Sequence, residues 1–295
     1  MKKTIEKRSA IIFEIRKFFM DKGYTEVETP IRLPSIIPED HIEPFLSEDF
    51  FLQASPEICM KRLLSRGHEK IFQICKTFRK NERGRLHIPE MTMLEWYHAG
   101  RNYLDLMKET EDLITKLASV FNTRKVLRGG KETSLDQPFE RLSVYDAVKK
   151  YTSFSFEEVL NNFDEIFGIE ICPRLGFGKP VFLYDFPASQ ASLSKLCEND
   201  INFCQRFELF ISGIEICNCY TELTDPEEQK NRFLDSINYR KSRQLKVSQL
   251  PQKFLEDLGK MPEASGNALG IDRLLMVLMN KDTIDDVLCF SPEDL

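Results

Sequence analysis

The chain has 295 residues, 42% of them hydrophobic and 11% aromatic, enough to bury a sizeable core as one large domain or two small ones. No apolar run approaches the roughly 20 residues that span a bilayer, and the charged start from Met1 to Arg8 leads into no apolar leader, so the cytoplasm is the expected compartment. A net charge of -6 gives no overall nucleic-acid footprint and favours a basic protein partner, while eight scattered cysteines predict free thiols rather than a disulfide framework.

In chain order, Ile12, Ile15, Phe18 and Phe19 fall at helical spacing and Gly23 supplies the stop. Tyr24 to Pro30 is rich in β-branched residues, and Phe50 to Ala54 reads as a strand. Ser55-Pro56-Glu57 then predicts an N-cap, a proline in the first turn and an acid at the helix start, with the helix running to about Gly67. From Ile71 to Arg79 the alternation sets Phe72, Ile74 and Phe78 against Gln73, Cys75, Thr77 and Arg79, and Thr92 to Ala99 alternates again with Glu95 and Tyr97 on one face. The charged segment Lys80 to Arg85 between them is expected to be a mobile loop.

A helix capped by Asn102 is predicted to reach about Phe121, and Gly129-Gly130 breaks the pattern that follows. Residues 122–180 carry helix starts near Ser143 and Ser155 and are expected to form a small insertion on the main body. Val181 to Phe186 reads as a strand, and two more strands flank a hairpin turn at Ser212-Gly213. Asp225-Pro226-Glu227 opens a helix, and the small-residue stretch Ser265 to Gly270 runs into a helix over Ile271 to Met279. With no regular βαβ rhythm, the fold class is α+β, a mostly antiparallel sheet flanked by helices.

The hairpin puts Glu208 and Glu215 opposite or diagonal to each other, where like charges repel unless something positive lies between them. A nucleotide-bound Mg²⁺ suits such a pair, because the ion takes few protein carboxylates and keeps several waters. A hairpin with both carboxylates in solvent is the commoner cause of this pattern. Asn218, Tyr220 and Glu222 share one parity and could grip an ammonium, although a half-exposed polar face looks the same. Arg79 and Arg273 have the planar, permanently charged head that suits phosphate. No glycine-rich phosphate loop ending in Gly-Lys-Ser/Thr and no Gly-x-Gly-x-x-Gly occurs. Cys217 and Cys219 lack a second pair at zinc spacing and read as packing residues. No Ser-His-Asp or Cys-His set is evident.

Three segments together resemble the signature motifs of class II aminoacyl-tRNA synthetases, in order and across nearly the whole chain. Val27-Glu28-Thr29-Pro30 is similar to motif 1, Thr77-Phe78-Arg79 through Leu94-Glu95-Trp96-Tyr97 to motif 2, and Ala268-Leu269-Gly270-Ile271-Asp272-Arg273 to motif 3. Within the lysine branch, Ser55 to Leu64, Phe186 to Ser192 and Thr221 to Asp225 look like the ligases that attach a lysine to elongation factor P. Because the sequence opens at the helix before motif 1, an anticodon-binding barrel is not expected.

The resemblance implies ATP-dependent formation of a lysyl- or β-lysyl-adenylate and its transfer to a lysine ε-amine of elongation factor P, by a homodimer with ATP and Mg²⁺, with tRNA not expected as acceptor. By motif position, Ser55, Pro56, Glu57, Glu95, Tyr97, Asn218, Tyr220, Glu222 and Ala268 would contact the amino acid. Arg79, Lys80, Asn81, His87, Ile88, Met91, Glu215, Ile216, Gly270 and Arg273 would contact ATP, with Arg79 and Arg273 as the catalytic arginines and Glu208 and Glu215 on the metal. Ala268 replaces the glycine of the tRNA enzymes, a change that resembles a pocket retuned for β-lysine. Asn81, Ile88 and Met91 replace the family's glutamate, asparagine and phenylalanine, and Cys217 and Cys219 replace small residues. A truncated ligase acting on tRNA and a non-catalytic regulatory paralogue are the alternatives consistent with the same motifs.

Overall fold

The computed structural model describes residues 2–295. Helix α1 (Lys2–Asp21) leads through Gly23, at φ 78°, into the short strand β1 (Thr25–Glu26). Strands β2 (Arg32–Leu33), β3 (Leu46–Ser47) and β4 (Phe50–Leu52) make a small sheet ahead of α2 (Glu57–Leu64). The expected cap is displaced by one residue: Pro56 is the N-cap, and the Ser55 hydroxyl accepts the Glu57 N–H at 3.1 Å. The helix also ends earlier than expected, before Gly67.

Strands β5 (Lys70–Phe78) and β6 (Glu90–Ala99) pair antiparallel as the alternation requires. The loop joining them is not free: Arg83 binds Asp285 at 2.9 Å and Glu293 at 2.6 Å. Helix α3 (Tyr103–Val120) starts on a full capping box of Asn102 and Asp105. Then come β7 (Lys125–Arg128), β8 (Lys131–Ser134) and β9 (Glu140–Ser143), followed by α4 (Val144–Tyr151), α5 (Phe156–Asn161) and α6 (Phe163–Ile166), with α4 and α5 capped by Ser143 and Ser155 as the sequence predicts.

Strand β10 (Val181–Pro187) pairs with β9 and with β11 (Phe203–Ile211), and β11 turns into β12 (Ile214–Thr221). Ser212 and Gly213 both have positive φ, 51° and 76°, the geometry that a tight two-residue hairpin needs. Asp225 caps α7 (Pro226–Ser242), which is followed by α8 (Gln252–Leu258).

The small-residue stretch is itself a strand, β13 (Ala264–Gly270), before α9 (Ile271–Leu278). It lies in the middle of the eight-stranded sheet, ordered β1-β5-β6-β13-β12-β11-β10-β9 and antiparallel except at its two outer pairs. Ser, Gly, Asn and Ala have little strand preference. Tertiary neighbours make this strand: a Cβ on Gly266 would stand 2.3 Å from a Tyr97 ring carbon and 2.5 Å from a Glu222 carboxylate oxygen.

One face of the sheet, with Phe72, Leu94, Trp96 and Leu269, packs against α1, α3 and α9. Cys217 and Cys219 lie in this core, and all eight cysteines are free thiols. The other face, through Ile71, Tyr97 and Ala264, packs against α2, α7 and α8. Because side chains alternate along β6, Leu94 and Trp96 fill the first core while Glu95 and Tyr97 point into the second layer. No helix among the described residues is long and apolar enough to cross a membrane.

Candidate active site

A cavity of about 260 Å³ opens over the centre of the sheet, between β6, β12, β13, the segment that follows β5 and the starts of α2 and α9. At one end its wall carries Ser55, Glu57, Asn218, Tyr220 and Ala268, and at the other Arg79, Glu82, Met91, Glu215, Ile216, Gly270 and Arg273. His87 and Ile88, from the loop, close the second end. Gly270, as N-cap of α9, sets Arg273 in the first turn of that helix.

Glu95, Tyr97 and Glu222 lie one layer behind, Glu95 bonded to the wall directly, Tyr97 through Glu95 and Glu222 through Lys61. Glu95 accepts the Ser55 hydroxyl at 2.8 Å and the Tyr97 hydroxyl at 2.6 Å. It is 2% exposed, and burial, reinforced by the charge of Glu57, pushes its carboxyl up to about 8 against the pull of these two hydrogen bonds. Pro56 only starts the helix.

Glu222 meets Lys61, which sequence reasoning passed over. The Lys61 ammonium lies between the carboxylates of Glu222 and Glu57, 2.5 Å from the latter, and is 1% exposed. Burial by itself would lower the pKa of this lysine, but the two carboxylates more than offset that and hold it above its usual value. Its signal was visible in the spacing: Lys61 follows Glu57 by one helical turn on the buried side of α2. Three carboxylates against one ammonium leave two negative charges at this end when all are ionised.

At the other end Arg273 donates to the Glu215 carboxylate at 3.2 Å and to the Leu86 carbonyl at 3.2 Å. It also lies 2.5 Å from Nε2 of His87. Burial and the Arg273 charge depress the pKa of His87, which keeps the imidazole neutral and leaves Nε2 as acceptor. Arg79 has only a long ion pair to Glu82, 3.8 Å, and its buried Nε finds no acceptor among the described residues. A buried unpaired donor costs about 1–3 kcal/mol, so Arg79 is set to receive an anion.

Two motif 2 residues do not join the site. Lys80 turns its backbone N–H to the Glu43 carbonyl at 2.7 Å, and Asn81, at φ 68°, is exposed. Glu82 lines the cavity instead, so the acid missing at position 81 is supplied from the next position.

Glu208 and Glu215 are diagonal rather than opposite. Glu208 pairs with Asn218 and Glu215 with Phe210, and a bulge between Leu209 and Phe210 shifts the register. That bulge lets Glu215 and Asn218, of opposite parity, face the same cavity. Burial, then the charge of Glu215, pushes the Glu208 carboxyl up to about 7, although Arg206 opposes this with a hydrogen bond of 2.6 Å. Glu215 faces the cavity and Glu208 lies behind the wall beside Arg206, so a divalent cation shared with phosphates would meet Glu215 directly and would draw in Glu208 only as that carboxylate turns from Arg206. No larger cluster of metal-ligating residues occurs among the described residues. Arg206 also binds the Asn218 carboxamide oxygen at 3.0 Å. Asp272, likewise missed, holds the start of α9 by accepting the Thr92 N–H at 2.7 Å and Arg8 at 2.6 Å.

The family model for tRNA synthetases class II (D, K and N) matches residues 1–294. The elongation factor P–(R)-beta-lysine ligase of Sodalis glossinidius is 36% identical over 308 aligned positions, covering 97% of this chain and 94% of that protein. The enzyme of the same name from Salmonella gallinarum is 36% identical, with the same two coverages. With a sheet of the expected α+β type, the second and third motif segments meeting at one cavity and a family match along almost its whole length, the chain belongs to the class II tRNA synthetase family.

Proposed function

We propose that this protein is an ATP-dependent ligase that activates lysine or (R)-β-lysine as an aminoacyl-adenylate and transfers it to a lysine ε-amine of elongation factor P. The observation that carries the reading is the charge layout of the site. Glu57 and Glu222 share the one internal ammonium of Lys61, and Glu95 lies buried beside them. Once a ligand's ammonium groups draw these carboxyls into their ionised form, their excess of two negative charges matches a ligand with two such groups. Arg79 and Arg273 at the far end of the cavity match its carboxylate and a triphosphate. The names of the similar ligases agree with this chemistry.

In the first step a carboxylate oxygen of the amino acid attacks the α-phosphorus of ATP, the bond from that phosphorus to the β-phosphate oxygen breaks, and pyrophosphate leaves. Arg79 and Arg273 neutralise the charge that develops on the phosphate oxygens, and the fixed carboxylates orient the ammonium end. Glu208 and Glu215 would hold Mg²⁺, which supplies further neutralisation of the phosphates when bound. In the second step the acceptor amine attacks the acyl carbon and AMP leaves. Neither step needs a nucleophilic side chain. Ala268, registered against Asn218 on one side and Glu95 on the other, places a methyl group on the wall where the α- and β-amino positions would differ. A homodimer through Val27 to Pro30, where Glu28 and Pro30 are exposed, is part of the same proposal and is checked by sedimentation.

The deciding test is amino-acid-dependent ATP–pyrophosphate exchange with Mg²⁺ and either α-lysine or (R)-β-lysine, without acceptor. Exchange with at least one of them is expected. None, from folded protein, would refute the ligase reading and favour a non-catalytic role.

A further inference from the structure

A second cleft, of about 620 Å³, adjoins the active-site cavity, and Glu39 and Ile42 line both. Glu39 sits on the connection between β2 and β3, and that connection is held by an arginine with almost no exposure of its own. Arg240 of α7, 3% exposed, donates to the carbonyls of Glu39 at 2.7 Å, Asp40 at 3.2 Å and Ile42 at 2.8 Å. It also binds the Glu43 carboxylate at 2.8 Å, and its Nε holds the Lys246 carbonyl at 2.8 Å. The backbone around Glu39 is therefore fixed, while no described residue makes a hydrogen bond to its carboxylate.

The second cleft is negative where its groups are free. Its arginines are engaged: Arg206 with Glu208 and Asn218, and Arg232 with Glu228 and the carbonyls of Ser192 and Ser194. His41 pairs with Asp164 at 3.3 Å, which leaves Asp40 and Asp235, and a buried oxygen of Asp40 has no partner among the described residues. Such a passage admits a cationic side chain and leads it to Glu39 at the boundary with the activation site.

Resting on the ligase reading above, we propose that the acceptor lysine enters through this second cleft and that Glu39 takes the proton from its ammonium before the amine attacks the adenylate. The balance is simple. The Glu39 carboxylate becomes the acid as the ammonium becomes the free amine, the amine nitrogen bonds to the acyl carbon, the bond from that carbon to the AMP oxygen breaks, and the nitrogen's second proton goes to solvent or the departing phosphate. The charged groups facing Glu39 are Arg79 and Glu82 from the motif 2 side, Glu57 from α2 and Arg206 from β11. Burial, with the charge of Glu57 added, pushes the Glu39 carboxyl up to about 7 despite the two arginines, which suits proton exchange near neutrality.

The test separates the two half-reactions in wild type and Glu39→Gln. Exchange should survive within about twofold, because Glu39 acts after activation. Transfer to elongation factor P should fall by about 10²-fold or more at neutral pH. From about pH 6 to about pH 9 the wild-type transfer rate should rise through about pH 7 and level off, whereas the variant should keep rising about tenfold per unit with the free amine of lysine. Hydroxylamine, already uncharged at neutral pH, should trap the adenylate equally well in both proteins. Unchanged transfer in the variant, or an equal loss of hydroxylamine trapping or of exchange, would overturn the assignment of Glu39 while leaving the ligase reading intact. Absence of exchange in the wild type would instead overturn the ligase reading, and this proposal with it.

Discussion

Replacing Lys61 by methionine keeps the length of the side chain and removes its ammonium. The change leaves Glu57 and Glu222 facing each other in a layer where Lys61 and Glu222 are each 1% exposed, with Glu95 also buried nearby. Breaking one side of a buried ion pair costs about 3–5 kcal/mol, and here one ammonium serves two carboxylates, so the upper half of that range is expected. The sign with pH follows from the carboxylates. Burial already raises the pKa of Glu222 in the folded protein, and without Lys61 it rises further. The folded variant therefore binds more protons than the unfolded chain above the ordinary glutamate value of about 4.3, and its stability falls as pH increases from there through the raised folded value. Urea unfolding at about pH 5 and about pH 8 measures this, and the deficit of Lys61→Met against wild type should be larger at the higher pH. Adding Glu222→Gln to the same chain should recover part of the loss, giving a coupling of about 1 kcal/mol or more in a double-mutant cycle. A deficit below about 1 kcal/mol that does not change with pH would refute the view of Lys61 as the counter-charge of the pocket.

Lysine binding, followed by calorimetry, should tighten as pH rises toward about 8, because Glu95, pushed up to about 8 when the pocket is empty, must give up a proton to face an ammonium; Glu95→Gln should bind weakly with a flat profile. Gly266→Ala should cost about 1–3 kcal/mol in thermal unfolding and raise KM for lysine in exchange, since the new methyl would stand 2.3 Å from the Tyr97 ring and 2.5 Å from Glu222. Arg79→Ala should cut exchange by about 10²-fold or more with less than about 1 kcal/mol lost in stability, because its only ion pair among the described residues is long and partly exposed. Glu82→Gln should alter KM for ATP while Asn81→Ala leaves it within about twofold, as only Glu82 faces the cavity; the reverse ranking would contradict that placement.

What the sequence determined by itself was local. Asn102, Ser143, Ser155 and Asp225 each cap the helix that follows, and Ser212-Gly213 makes the hairpin turn. These features are legible because a cap or a tight turn closes its hydrogen bonds within three or four residues. Motif resemblance added the family and the residues of both ends of the site. Tertiary structure decided the rest. β13 is a strand because β6 and β12 flank it and Tyr97 and Glu222 leave room only for glycine, not because its own residues favour extension. A one-residue bulge, invisible to strict alternation, brings Glu215 to the face of Asn218. Lys61 gains its partner Glu222 from a strand end far along the chain, and Glu39 gains its place from Arg240. Burial and long-range pairing set the charge of this site, and both depend on neighbours that no local pattern specifies.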